Sequence, residues 1–368
     1  MSLAQPKRIL IIKLRHHSDV LLSTPVVDAL KTRFPDCEID MLVYAGTGQL
    51  IADNPQIAQI FTIDRNWKKL GVFKQLACEK NLLSKLKARD YDWAFNLSDQ
   101  WRAAIIAKLC ARCSVGLDCI KRDGFWWRFC HDFINHELDT SHHIVENQLN
   151  ILAPLIQPED VADAKVRLWV AQDARESMRQ KLREQGWNGE DYVLLHPGAR
   201  WHFKCWEDGK NAAIVQLLLN SGQNVVLTAS PDTVEQYMLQ EIIGRLNIPE
   251  GRKVYVLSGC LSLRELAAAI EGAKLFIGVD SAPMHIAAAL DKPQIALFGA
   301  SWVDKWRPYS EEAEVIYAGD YAELPHPDSI DTNDPTRLLK AIPLQDVWDR
   351  ISAKFGGVGG LKPLTMIR

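Results

Sequence analysis

No stretch of this 368-residue chain approaches the roughly 18 to 20 consecutive apolar residues that a bilayer-spanning helix needs, so no transmembrane segment is expected. Met1 to Arg8 runs straight into an Ile-rich segment with no signal-peptide hydrophobic region or cleavage site, which predicts a cytoplasmic protein. Charge of one sign is also scarce. The net charge is -3, made of +3 in residues 1 to 150 (20 Lys and Arg against 17 Asp and Glu) and -6 in the remainder (23 against 29). That is too little to bind nucleic acid by charge, though a first half of this sign suits an anionic partner. Two catalytic signatures are missing as well. No G-x-G-x-x-G follows the first apolar run, against a nicotinamide dehydrogenase, and no G-x-S-x-G elbow occurs, against a Ser/His/Asp hydrolase.

The chain does contain eight cysteines, including a C-x-x-C at Cys110 and Cys113 with Cys119 and Cys130 downstream. A redox pair belongs at a helix start, where the dipole lowers a thiol pKa, and this pair ends an apolar helix predicted over Arg102 to Cys113. A zinc site needs a second matched ligand pair, and none is suitably spaced. Reduced structural thiols are therefore expected.

Apolar runs alternate with helical patterns twice along the sequence. Arg8 to Leu14, Glu38 to Tyr44 and Trp93 to Leu97 read as strands; Val20 to Phe34, Val72 to Arg89 and Ala103 to Cys113 read as helices. After a linker placed at about 155 to 180, with a short strand at Lys165 to Val170, the alternation resumes through Tyr192–Leu195, Asn224–Thr228, Lys253–Leu257, Leu275–Gly278 and Gln294–Phe298. The expected class is α/β, with two Rossmann-like, doubly wound parallel sheets facing a central cleft. The expected boundaries are 1–165, 166–342, and a C-terminal helix and tail over 343–368 that could pack back on the first domain.

Ligands of such sheets bind beyond the carboxyl ends of the strands, so three post-strand loops matter. In Gly278-Val279-Asp280-Ser281-Ala282-Pro283-Met284-His285, Pro283 suits a first helical turn whose free N–H groups can hold a diphosphate, and Asp280 suits sugar hydroxyls. In Leu195 to Trp206, Arg200 and Lys204 are cations able to neutralise a leaving diphosphate or simply to decorate a basic surface loop, while Trp201 and Trp206 read as packing residues. In Arg15-His16-His17-Ser18-Asp19, Asp19 is either a general base for an acceptor hydroxyl or a plain helix N-cap. The adjacent His16 and His17 do not easily face one metal. No carboxylate-rich D-x-D motif is expected to hold one, a pattern that favours metal-free transfer.

Through Arg8 to Leu30, Leu195 to Trp206 and Phe276 to Phe298 the sequence resembles the lipopolysaccharide core heptosyltransferases, glycosyltransferase family 9, most nearly the heptosyltransferase III branch. The resemblance implies an inverting GT-B transferase that takes heptose from ADP-heptose to a heptose of the lipopolysaccharide inner core, with no metal or other cofactor. It implies that Asp19 is the base, Lys204 contacts the diphosphate and Asp280 contacts the heptose. Ser281, Ala282 and His285 would flank Asp280, Glu235 or Asp232 would bind the ribose, and Leu261 would line the adenine pocket. Ser18 stands where the family has glycine, a cost if that position needs positive φ.

The implied acceptor is a phosphorylated membrane lipid. Trp67-Lys68-Lys69 and Lys121-Arg122 with Trp126-Trp127-Arg128 combine cations and aromatics that could touch an anionic inner leaflet from the cytoplasmic side, or could be solvated loops and buried tryptophans. No nucleic-acid partner is expected. Heptosyltransferase I or II acceptor specificity, a GT-B-like sugar-nucleotide epimerase and a non-catalytic nucleotide-sugar binding module are the rival readings.

Overall fold

The computed structural model describes residues 5–118, 122, 124–157, 159 and 161–355. Lys121, Cys119 and the Gly-rich tail from Gly356 fall outside the described residues. The chain divides between Trp169 and Val170 into two compact units.

In the first unit, strands β1 (Arg8–Lys13), β2 (Glu38–Tyr44), β3 (Gln59–Ile63), β4 (Tyr91–Asn96), β5 (Ala111–Asp118) and β6 (Phe133–His136) form one sheet in the order β3-β2-β1-β4-β5-β6. Every pairing is parallel. The chain winds one way from β1 to β3 and the other from β4 to β6, so its topological switch lies between β1 and β4. β1 is apolar on both faces because both are covered. Ile9 and Ile11 enter one core with Val26, Val27 and Leu30, while Leu10 and Ile12 enter another with Leu86 and Ala107. The helices are α1 (His17–Leu21), α2 (Thr24–Arg33), α3 (Val72–Lys87), α4 (Trp101–Cys110), α5 (Phe125–Phe129) and α6 (Ile144–Asn150).

Three sequence expectations are corrected here. The single helix expected over Val20 to Phe34 is two, because Pro25 has no N–H to continue the ladder. Ser23 Oγ and Thr24 Oγ1 instead donate to Val20 O and Leu21 O at 2.6 and 2.8 Å, closing α1. The helix expected to run to Cys113 stops at Cys110, and β5 begins at the next residue. Lys165 to Val170 is not a strand: the Lys165 and Arg167 amides donate to Asp28 Oδ2 and Thr24 Oγ1 on α2, at 3.1 and 2.9 Å.

The second unit opens with α7 (Gln172–Arg183) and repeats the pattern with β7 (Tyr192–His196), α8 (Asp208–Asn220), β8 (Asn224–Ala229), α9 (Thr233–Ile243), β9 (Val254–Ser258), α10 (Leu263–Gly272), β10 (Leu275–Val279), α11 (Ala282–Ala289), β11 (Gln294–Phe298), α12 (Val303–Trp306), β12 (Ala313–Tyr317) and α13 (Leu344–Phe355). Its sheet, also parallel, runs β12-β11-β10-β7-β8-β9, the same winding with the switch between β7 and β10. The buried face of α13, Val347, Trp348 and Ile351, belongs to this unit's core with Trp206, Leu218 and Ile295, so the helix expected to return to the first domain packs on the second.

Candidate donor and base sites

β7 and β10 lie side by side at the switch of the second sheet, with Leu195 opposite Ile277 and His196 opposite Gly278. Their outgoing loops therefore meet although 76 residues separate them: Lys204 Nζ stands 2.5 Å from Asp280 Oδ2. Ser301, in the loop leaving the neighbouring strand β11, donates its hydroxyl to the same Oδ2 at 2.7 Å. Asp280 is buried, 7% exposed, and the Lys204 side chain is 16% exposed. A cation and a hydroxyl thus meet on one oxygen of this enclosed carboxylate. Lys204 also lies 5.1 Å from the Trp201 ring centroid, and Trp201 stacks on Phe203 at 6.0 Å. Trp206 is buried as expected; Trp201 is 37% exposed and forms a platform beneath the cation. Arg200 is exposed and reaches the same ring from 5.9 Å.

The helix start beside Asp280 offers fewer amides than its sequence suggests. Ser281 is the N-cap of α11, Ala282 its first residue and Pro283 a residue without N–H. The Met284 amide donates to Ser281 O at 3.2 Å. Less of an anion's charge can fall on backbone donors here, and more must fall on Lys204. Ser281 and Ala282 are half-buried, whereas His285 is 3% exposed on the inner side of α11.

Asp232 and Glu235 turn out to do different things. Asp232 is exposed and caps α9, accepting from the Val234 and Glu235 amides at 2.9 and 3.4 Å. Glu235 is buried, accepts from the Ser230 amide at 2.9 Å and lies 3.7 Å from His196 Nε2. Burial holds His196 below its ordinary pKa against the pull of Glu235, so the ring is neutral at neutral pH; its Nδ1 sits 2.9 Å from Thr228 Oγ1. Gly198 fits over this carboxylate only as glycine, since a Cβ there would come within 2.5 Å of Glu235 Oε2. Leu261 is half-buried after β9, next to Ser262, the N-cap of α10.

In the first unit Asp19 is the third residue of α1, and the N-cap is His16. Asp19 is thus no N-cap but an acidic residue of the first turn of α1. Ser18 lies inside the same helix, and the described non-glycine residues with positive φ are Asp90 and Asp291, so the missing glycine costs nothing in backbone strain. Beneath the loop, buried Lys13 donates to Leu97 O at 3.2 Å. Burial lowers the Lys13 pKa, while Asp19 is the strongest influence raising it. Arg15 pairs with Asp99 at 2.8 Å, joining the loops that follow β1 and β4.

Sequence reasoning named Glu235 but missed Ser301 and the His196 and Thr228 that sit beside Glu235. The strand-end rule that selected the loops after β7 and β10 would also have selected Gly299-Ala300-Ser301 after β11. A D-x-D does occur, at Asp90-Tyr91-Asp92, but it stands at the amino end of β4 and pairs with Arg112. Among the described residues no three His, Cys, Asp or Glu side chains gather as a metal site, and no helix is long and apolar enough to cross a membrane. Of the C-x-x-C pair, Cys110 and Cys113 are both buried free thiols, and burial pushes each up to about 11.

The family model for glycosyltransferase family 9 (heptosyltransferase) matches residues 80–336. Lipopolysaccharide heptosyltransferase 3 of Escherichia coli is 38% identical over 335 residues, 91% of this chain and 95% of that protein. The crystal structure of the glycosyl transferase family 9 from Veillonella parvula DSM 2008 matches with a TM-score of 0.81 at 20% identity, over 97% of this chain and 99% of that one. E. coli heptosyltransferase WaaC with ADP-2-deoxy-2-fluoro heptose matches at 0.69 and 19%, over 94% and 99%. These two likenesses establish the two-sheet GT-B fold. With the family match and the 38% relative, they lead to one conclusion: the chain belongs to glycosyltransferase family 9, the heptosyltransferases.

Proposed function

We propose that this chain transfers heptose from ADP-heptose to a heptose of the lipopolysaccharide inner core, with the acceptor choice of heptosyltransferase 3. The observation that carries the reading is the Lys204–Asp280–Ser301 group at the ends of β7, β10 and β11. A cation beside a buried carboxylate suits a donor with two chemical ends. Lys204 Nζ takes the diphosphate, and Asp280, held by Ser301, accepts from sugar hydroxyls. Ser281 and Ala282 let the phosphates approach the start of α11. Glu235, beside the Gly198 loop, is better placed for the ribose than Asp232, whose carboxylate is engaged as a cap. Leu261 borders the base.

Transfer is a single displacement. The acceptor oxygen bonds to the anomeric carbon as the carbon–oxygen bond to the diphosphate breaks, inverting that centre. The hydroxyl proton passes to Asp19, and ADP leaves with its charge on Lys204. No metal is needed, because the lysine supplies the counter-charge.

The test is ADP release from ADP-heptose in the presence of lipopolysaccharide cores truncated at successive heptoses. Release that requires a core already carrying the second heptose supports the reading. Release with the unheptosylated core would assign a type I acceptor, and release with the core carrying only the first heptose a type II acceptor. Rearrangement of the sugar without acceptor would make the protein an epimerase, and binding without either would make it a nucleotide-sugar binding module.

A further inference from the structure

Among the described residues of the first unit, the large hydrophobic side chains that are exposed all fall between Leu70 and Phe133. The most exposed of them form two groups, one on α5 with Phe125, Trp126 and Phe129 at 73, 69 and 61%, and one at the amino end of α3, where basic residues dominate. Phe73 is 89% exposed, Val72 71%, Leu76 59% and Leu70 45%. Helical spacing puts Phe73, Leu76 and Ala77 on one face, so this is a continuous apolar tip rather than scattered residues. Nothing in α3 requires it for packing, since the buried residues of that helix are Leu82 and Leu86, two to three turns away. Isolated exposed apolar residues are ordinary; a cluster of this size at one helix end marks a contact surface.

The charge around the tip is of one sign. Between Arg65 and Lys87 the chain carries seven lysines and arginines and a single acid, Glu79. Glu79 is paired with Arg102 of α4, so it faces the protein. Lys68, Lys69, Lys74 and Lys80 are exposed around the apolar residues. Long basic side chains beside exposed Phe, Leu and Val match an interface in which the apolar groups enter the acyl boundary and the ammonium groups stay among phosphates. We propose that the amino end of α3, with the Arg65–Lys69 turn before it, is a docking surface for an anionic phospholipid bilayer. The sequence motif Trp67-Lys68-Lys69 is one edge of this surface; in the other motif Trp127 is buried and donates to Leu117 O at 3.0 Å, while Trp126 is exposed and packs on Phe125 and Phe129. The inference stands apart from the heptose-transfer reading, because it uses none of the donor or base residues.

The full chain is sedimented with vesicles containing about 30% anionic phospholipid and with zwitterionic vesicles, at low salt and at about 0.5 M salt. The expected result is binding to anionic vesicles, lost with zwitterionic lipid and weakened at least tenfold by salt. The doubly substituted Phe73→Ser/Leu76→Ser chain should bind at least tenfold more weakly with an unchanged Tm and unchanged ADP affinity; both side chains are exposed, so folding is not at stake. Lys68→Glu/Lys69→Glu should lose the salt-sensitive part. Wild-type chain that stays in the supernatant overturns the proposal, as does a Phe73/Leu76 variant that sediments like wild type. A wild-type dimer that becomes monomeric on the Phe73/Leu76 substitution would assign the tip to a second copy of the chain and overturn it too. ADP binding, measured in parallel, keeps either failure separate from failure of the transferase reading.

Discussion

In the proposed function Lys204 and Asp280 divide one task by charge, and the division makes distinct predictions. Lys204→Ala removes the cation expected to meet the diphosphate and leaves Asp280 buried without its counter-charge. ADP affinity, measured calorimetrically, should fall about tenfold or more; unchanged affinity would remove the clamp role. Asp19→Ala should leave ADP affinity near wild type and reduce kcat by about a hundredfold or more, the range of a lost general base. Ser301→Ala takes one hydrogen bond, about 1 kcal/mol, from Asp280. Its expected mark, on the proposed assignment of Asp280 to the sugar and Lys204 to the phosphates, is a roughly five- to tenfold loss in kcat/KM for ADP-heptose with ADP affinity preserved. The buried thiols Cys110 and Cys113, pushed up to about 11, should resist a disulfide reagent at pH 8 while exposed Cys260 reacts at once. Lys204, Asp280 and Asp19 were legible in sequence because each follows a strand of strong apolar pattern. Ser301 was not, since a serine after Gly-Ala has no signature until β11 is known to border β10.

At the scale of elements, α7 is bound to α10 by three ion pairs, Arg175–Glu271, Arg264–Asp173 and Lys181–Glu265, of which the last is the least exposed. Burial would raise the Glu265 pKa, but Lys181, Ser177 and Ser262 all hydrogen-bond it, and the balance brings it down to about 2. Its folded pKa is below the ordinary carboxylate value. The stability it contributes is therefore complete above about pH 4.5 and lost as pH falls towards 2. Glu265→Gln should lower stability by about 1 to 2 kcal/mol at pH 7, allowing for solvent screening, with the difference from wild type vanishing near pH 2 in thermal melts. Central strands β1, β4, β7, β8, β10 and β11 could be read from their apolar runs. β3, β6 and β12 could not: they are edge strands, which have no need of a continuous apolar run, whereas the remaining edge strand, β9, was readable because Val254 to Leu257 do form one. β5 was hidden because it follows α4 with no turn residues between them.

At the scale of the whole molecule, the proposed use of Lys204 as the diphosphate's counter-charge predicts that transfer persists undiminished in excess EDTA; a chelator-sensitive rate, restored by added metal, would contradict this. Two sheets of one winding order place the ends of β7, β10 and β11 side by side, and the ends of β1 and β4 likewise. The sequence by itself determined the fold class, the two-unit organisation and the family. Those follow from local periodicity and from short motifs whose residues are contiguous. Only the tertiary structure decided that Ser301 completes the Asp280 site, that Asp19 lies within a helix instead of capping it, that Asp232 is a cap while Glu235 lies under Gly198, and that α13 closes the second core. The physical reason is that each depends on strand order or on helix starts, and these are set by packing between segments tens of residues apart.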